Sequence, residues 1–190
     1  CEYLGIFDKV HIMDVDPDMI DTLYFAEDGM TYHIAKGKEQ FVDALAGYFP
    51  DQRENLRSYI AALYRIVDEL DLFYLRPSKE YIVMHSDEFM MAADSFIAKY
   101  ITNEKLCSVL AYMNPLYAGK GNTTPAYIHA LISVIYINGP SRFAGGSYLF
   151  AEALKIDMVL FLQKMNWLKL LVLKPLKQFI QLRRNVLSWL

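Results

Sequence analysis

The chain has 190 residues, which is long enough for one domain with a sizeable core. Hydrophobic residues make up 54% of it and the formal net charge is −3, so the composition does not favour a nucleic-acid partner. The two cysteines, Cys1 and Cys107, give neither a disulfide framework nor a metal-site spacing, which is typical of a reducing compartment. We therefore expect a cytoplasmic protein, at most peripheral to a membrane. Because the chain starts at Cys1, we also expect it to be a segment of something longer.

The first elements along the chain are predicted to be strands within residues 10–35. Residues 20–26 are rich in apolar and aromatic side chains, and residues 30–35 alternate apolar with polar ones. Gly29 stands in the turn between them, where glycine readily takes the positive φ of a hairpin. The pattern predicts a small antiparallel sheet, followed by a short helix after Gly37.

Five or six helices are predicted to pack against this sheet, which gives an α+β fold. The clearest helix covers residues 51–72, where an apolar stripe repeats at helical spacing and Asp51 precedes Glu54 in a capping pattern. Ser86 is predicted to cap a third helix, and a short fourth helix covers about residues 104–112.

A nearly all-apolar helix is predicted over residues 125–137. Thr124 is expected to be its N-cap and Pro125 its first helical residue. This segment has almost no polar face, so we expect it to be buried. A turn at residues 145–147 is then predicted to open one more helix.

Charge is divided unevenly along the chain. Residues 155–190 contain seven basic residues and one acidic residue, whereas acidic residues prevail before them. The apolar run at 158–173 is too short and too charged for a bilayer span. We predict a separate basic, apolar helical tail, which is either a partly ordered terminal helix pair or a helix at a membrane interface.

Two polar motifs leave alternatives open. His129 lies on the apolar helix, where it could polarise a substrate group or be a hydrogen-bonded core residue. The histidines share no metal-like spacing, so no metal site is predicted. Gly119, Lys120 and Gly121 look like the start of a phosphate loop, but no third glycine follows and an exposed loop is favoured.

Four blocks of the chain carry a family resemblance: residues 3–9, residues 24–49, residues 106–119 with Asn114 to Gly119, and residues 124–147. In their order and spacing they resemble the phytoene desaturase, carotenoid isomerase and retinol saturase family of FAD-dependent oxidoreductases. The resemblance covers about residues 1–154 and implies a substrate-binding (cap) domain there. The tail, 155–190, departs from the family pattern.

The resemblance implies a function on apolar substrates. It implies the substrate-binding part of an FAD-dependent enzyme that acts on C–C bonds of polyene or isoprenoid-like molecules, with the chemistry carried by the flavin. No G-x-G-x-x-G fingerprint occurs in the 190 residues, so we expect a fragment that is inactive by itself. The alternatives are a non-enzymatic module that binds an apolar ligand or a membrane surface, and an inactive truncated remnant.

The same resemblance assigns eight site residues and no catalytic side chain. They are Tyr117, Tyr127, His129 and Phe143 on the substrate side, and Arg142, Gly145, Gly146 and Ser147 on the cofactor side. Aromatic residues suit the wall of an apolar slot, and a glycine turn allows close approach of the backbone. Plain core packing is the alternative for the aromatic residues, and an ordinary turn with a serine cap is the alternative for the glycines. Arg142 either faces a cofactor phosphate or a carboxylate or is a surface residue.

Overall fold

The structure is a computed structural model that describes residues 5–77 and 84–155. Within these residues, short strands and longer helices make an α+β protein, as the sequence predicts. Contacts divide the chain into two compact units. The first, called the helical unit below, lies within residues 14–140; the described part of the second, called the ribbon unit, is residues 5–13 together with 141–155. The predicted tail at 156–190 lies outside the described residues.

The elements follow one another in a simple order. The strands are β1 (Ile12–Asp14), β2 (Asp21–Phe25), β3 (Met30–Ile34) and β4 (Ser141–Phe143). The helices are α1 (Lys38–Tyr48), α2 (Arg53–Asp68), α3 (Ala93–Tyr100), α4 (Glu104–Leu110), α5 (Ala126–Asn138) and α6 (residues 147–155).

The core of the helical unit is built around α2 and α5. One face of α2 is buried, and it carries Leu56, Tyr59, Ile60, Leu63, Ile66 and Val67. α5 is apolar over most of its length and buries Ala130, Val134 and Ile137 in the same core cluster. Full burial of one large apolar side chain contributes about 1.5–3 kcal/mol, so these two helices supply much of the unit's stability.

β2 and β3 form the predicted antiparallel hairpin. Gly29 has a φ of +67° in its turn, and Leu23 is paired with Tyr32 across the two strands. The Tyr32 ring is buried, with its centroid 5.0 Å from that of Tyr48 and 5.6 Å from that of Phe49. The hairpin is therefore fixed to the end of α1 by aromatic contacts.

The predicted sheet over residues 10–35 differs from the structure in its first strand. β1 does not join the hairpin but pairs with β4 in a separate two-stranded ribbon. Next to this pair, the N–H of Ala144 donates to the carbonyl of His11 at 2.8 Å. A partner so distant along the chain leaves no local signal in the sequence, which is why the pairing was not predicted.

Two predicted helix starts are wrong. Ser86 does not cap α3, which begins well after it; its N–H and Oγ instead donate to the Glu69 carboxylate at 2.9 and 2.6 Å. Pro125 is the N-cap of α5 rather than its first helical residue. The Oγ1 of Thr124 instead accepts a hydrogen bond from the N–H of Lys120 at 2.7 Å, which closes the loop before α5.

The predicted helix at 51–72 is shorter in the structure. A 3-10 turn at Pro50–Gln52 precedes it, and no side chain caps the start of α2, so the capping pattern read at Asp51 is wrong. The predicted stripe of apolar residues is nevertheless confirmed, because its spacing does not depend on where the helix begins.

The predicted fourth helix is also shorter, because α4 ends at Leu110. The chain continues as a 3-10 helix at Ala111–Tyr117, which contains Pro115. The start of α4 has a cap that the sequence analysis did not identify: the side chain of Asn103 accepts the N–H of Leu106 at 2.9 Å.

Candidate functional site

Five of the eight predicted site residues line one groove in the ribbon unit. The groove has a volume of about 580 Å³. It is lined by Met13, Ser141, Arg142, Phe143, Ala144, Gly145, Gly146 and Ser147. Small-molecule sites have volumes of about 300–1,000 Å³, so the groove is large enough for such a ligand. The sequence analysis missed Met13, Ser141 and Ala144, because the β1–β4 pairing that brings their segments together is non-local.

The turn at residues 145–146 is held in a backbone conformation that favours glycine. Gly145 has a φ of +78° and Gly146 a φ of +89°. A Cβ atom on Gly145 would lie 2.6 Å from the side chain of Leu149, whereas a Cβ atom on Gly146 would meet nothing within 4 Å. Gly146 therefore presents open main chain to the groove, where a ligand can approach closely.

Arg142 is an exposed cation without a carboxylate partner among the described residues. Each of the other described arginines, namely Arg53, Arg57, Arg65 and Arg76, forms an ion pair. Among the described residues that line the groove, Arg142 is also the only charged one. These residues therefore give the groove one positive charge and no acidic side chain.

The rest of the groove offers apolar surface. The ring of Phe143 stacks on that of Phe150, with centroids 4.8 Å apart and planes at 20°. Met13 is 46% exposed. A cation, open backbone and apolar side chains together can position an elongated apolar ligand. Among the described lining residues there is no acid–base pair, and what they offer a ligand is contact surface and one cation.

The other three predicted site residues lie in the helical unit, and His129 is at its centre. His129 is fully buried, with Nε2 2.6 Å from the Oη of Tyr59 and Nδ1 3.1 Å from the Oη of Tyr117. Burial lowers the pKa of His129 to about 4, so its ring is neutral at neutral pH. Burial also raises the pKa of Tyr117 to about 12. This is the geometry of a hydrogen-bonded core histidine, one of the two alternatives that the sequence left open.

Tyr127 belongs to a different cluster. Its ring stacks on Phe89 at a centroid distance of 4.6 Å, and Phe89 stacks on His85 at 3.8 Å. Side chains two positions apart on a helix point to different sides, so the side chains of Tyr127 and His129 extend in different directions from α5. The structure thus brings Tyr117 and His129 together and leaves Tyr127 apart from them.

A small cavity lies beside the buried ring of Tyr59. It has a volume of about 10 Å³ and is lined by Phe41, Tyr59, Leu63, Leu110, Tyr112, Ser133 and Ile137. A volume of this size holds about one water molecule. It is far too small for a polyene chain.

A buried carboxylate cluster in the helical unit was not predicted. Glu88 accepts hydrogen bonds from Lys99 and Tyr100 at 2.5 Å each, and from Arg65 at 2.8 Å. Burial acts to raise the pKa of Glu88, but these three hydrogen bonds lower it to about 2. The partners come from α2 and α3, so the cluster joins both helices to the segment before α3. Their wide separation in sequence leaves no motif to read.

Three further findings bear on function. Within residues 5–77 and 84–155, no group of three or more His, Cys, Asp or Glu side chains is placed to hold a metal ion. Every helix in the same ranges is too short or too polar to cross a bilayer. A scan against protein-family models and a search of curated proteins both give no match for the chain.

Proposed function

We propose that this chain forms the substrate-side part of an FAD-dependent oxidoreductase that acts on C–C bonds of apolar polyene or isoprenoid-like molecules. The family resemblance of residues 1–154 supports the proposal. The observation that carries it is the groove at residues 141–147, where apolar surface and open glycine backbone lie beside Arg142, a cation that no described carboxylate pairs with. We also propose that the protein is located in the cytoplasm.

The groove residues suit both ligands of such an enzyme. FAD would supply the chemistry by moving hydride equivalents to or from a C–C bond. The open main chain at Gly146 would admit the flavin, with Gly145 shaping the turn. Phe143 and Met13 would contact the apolar substrate. Because the 190 residues contain no dinucleotide fingerprint, the proposal leaves most of the FAD contacts to residues outside them.

The substrate side is tested with a fluorescent polyene. All-trans-retinol is titrated into the full chain, and binding is followed by the rise in retinol fluorescence in an apolar site. We expect saturable binding that Phe143→Ala weakens on the order of tenfold, because a large buried aromatic contact is lost. Tyr24→Ala is the matched control, because Tyr24 is a 68% exposed aromatic residue on the hairpin.

The cofactor side is tested with FAD, followed by its own fluorescence. We expect weak, saturable binding that Gly146→Ala reduces, because the new methyl group occupies the open space at that position. Gly29→Ala is the matched control: Gly29 also has a positive φ and an unobstructed Cβ direction, but it lies in the hairpin turn. Far-ultraviolet circular dichroism checks that all four variants remain folded.

The two titrations separate the candidate functions. Binding of retinol and FAD, each weakened by its groove variant and not by its control, supports the oxidoreductase. Retinol binding without FAD binding would favour the apolar-ligand module instead. If neither ligand binds to the folded wild-type chain, the proposal is refuted.

A further inference from the structure

We propose that Arg142 makes the groove selective for apolar ligands that end in an anionic group, a carboxylate above all. The inference rests on the proposed function, since it concerns the same groove, and it narrows the substrate class. It predicts polyene acids as preferred ligands over the corresponding alcohols or hydrocarbons.

The first support is the state of Arg142 itself. A guanidinium is always charged and presents a planar fork of donors that matches a carboxylate. Arg53, Arg57, Arg65 and Arg76 meet carboxylates of this chain, whereas Arg142 has none within the described residues. Since no carboxylate within residues 5–77 and 84–155 pairs with Arg142, its guanidinium is available to an anion that enters the groove.

The second support is the composition of the groove around Arg142. Met13, Phe143 and Ala144 provide apolar surface, and no acidic residue is among the lining residues that the structure describes. An anion therefore meets no repulsion from these residues. The groove has a single positive charge beside an apolar wall, and the complementary molecule has a single negative charge beside an apolar body.

Another groove of this protein shows the contrast. A groove of about 200 Å³ between α1 and α2 also combines apolar and charged residues, among them Lys38, Glu39 and Arg57. There Arg57 is already paired with Glu39 at 3.4 Å and with Glu54 at 2.6 Å. The Arg57 cation is thus satisfied within the protein, and Lys38 lies over the ring of Tyr64 at 3.7 Å. Because Glu39 also lines this groove and would repel an anion, we assign no anion preference to it.

The experiment compares two polyenes that differ at one end. All-trans-retinoic acid and all-trans-retinol are titrated separately into the full chain at pH 8, where a carboxylic acid is ionised. We expect the acid to bind about tenfold or more tightly, because hydrogen bonds to a charged group are stronger than neutral ones. The preference should shrink as ionic strength rises, because the site is exposed.

Variants assign the preference to the guanidinium. Arg142→Gln should weaken binding of the acid about tenfold and so bring its affinity close to that of retinol, whereas Arg142→Lys should retain part of the preference. Arg57→Gln is the matched control and should change neither affinity. A further arm adds ADP as a competitor of retinoic acid, because a nucleotide phosphate could bind to the same guanidinium.

The outcomes distinguish this inference from the proposed function. Preference for the acid that is lost in Arg142→Gln supports the inference. Equal affinity for acid and alcohol, or an equal loss of both in Arg142→Gln, overturns it while the proposed function stands on retinol binding. Competition by ADP without any preference for the acid overturns it too, and assigns Arg142 to the nucleotide. Absence of all polyene binding refutes both.

Discussion

The buried His129 predicts an acid-sensitive fold. The ring is fully buried between two tyrosine hydroxyls, and burial lowers its pKa from 6.5 to about 4. Between these two values the unfolded chain binds a proton that the folded chain does not bind. The free energy of unfolding therefore falls as the pH drops through 6.5, and it levels off below about 4.

The size of the effect follows from the two pKa values. Integrated between pH 7 and pH 5, this one group removes about 2 kcal/mol of stability. That is a large part of the 5–15 kcal/mol that is typical of native proteins. The range lies above the ordinary values of carboxylic acids, so the titration of Asp and Glu contributes little to it.

The assay is urea unfolding followed by circular dichroism at a series of pH values from 7 to 5. The variant is His129→Gln, because glutamine does not titrate but can still donate and accept hydrogen bonds toward Tyr59 and Tyr117. Leu72→Ala, a change of a side chain that does not titrate at an 83% exposed site, is the control and should keep the wild-type pH dependence. If His129→Gln loses stability with falling pH as steeply as the wild type does, the reasoning is refuted.

Three further predictions concern stability, each measured by urea unfolding. Glu88→Gln should cost about 1–2 kcal/mol at pH 7 and less near pH 3, because the contribution of a carboxylate with a lowered pKa is lost as the pH falls from 4.5 toward about 2. Leu63→Ala should cost about 2–5 kcal/mol, since Leu63 is fully buried, whereas Leu72→Ala at an 83% exposed site should change stability by less than about 0.5 kcal/mol. Asn103→Ala should cost about 0.5–2 kcal/mol through loss of the α4 cap, and Asn103→Asp should restore most of it.

Periodic signals in the sequence were sufficient to predict the local elements. The stripe on α2 recurs at helical spacing, so its buried face was predictable without knowledge of any partner. The β2–β3 hairpin was predictable because strand alternation and Gly29 lie next to each other in the chain. In both cases the physical cause of the structure lies within one segment.

Features that depend on distant partners could not be predicted in this way. Ser86 has the right chemistry for a helix cap, but the Glu69 carboxylate takes both of its donors. The Glu88 cluster and the β1–β4 ribbon join residues that are far apart in the sequence. Met13 lines the groove only because β1 pairs with β4. The types of side chain at residues 142–147 could therefore be interpreted from the sequence, but the shape of the groove could not.

The two groups of predicted site residues differ in the space that they offer to a ligand. The cavity beside Tyr59 holds about one water molecule. Both ring nitrogens of His129 are already hydrogen-bonded to tyrosine hydroxyls. A polyene could reach that histidine only if the packed core opened, and a densely packed core resists this. The groove at residues 141–147 is some fifty times larger, as the cavity volumes of about 580 and 10 Å³ show, and needs no such opening. A ligand of the described chain should therefore bind in the ribbon unit, and His129 should matter to it only through the stability of the fold.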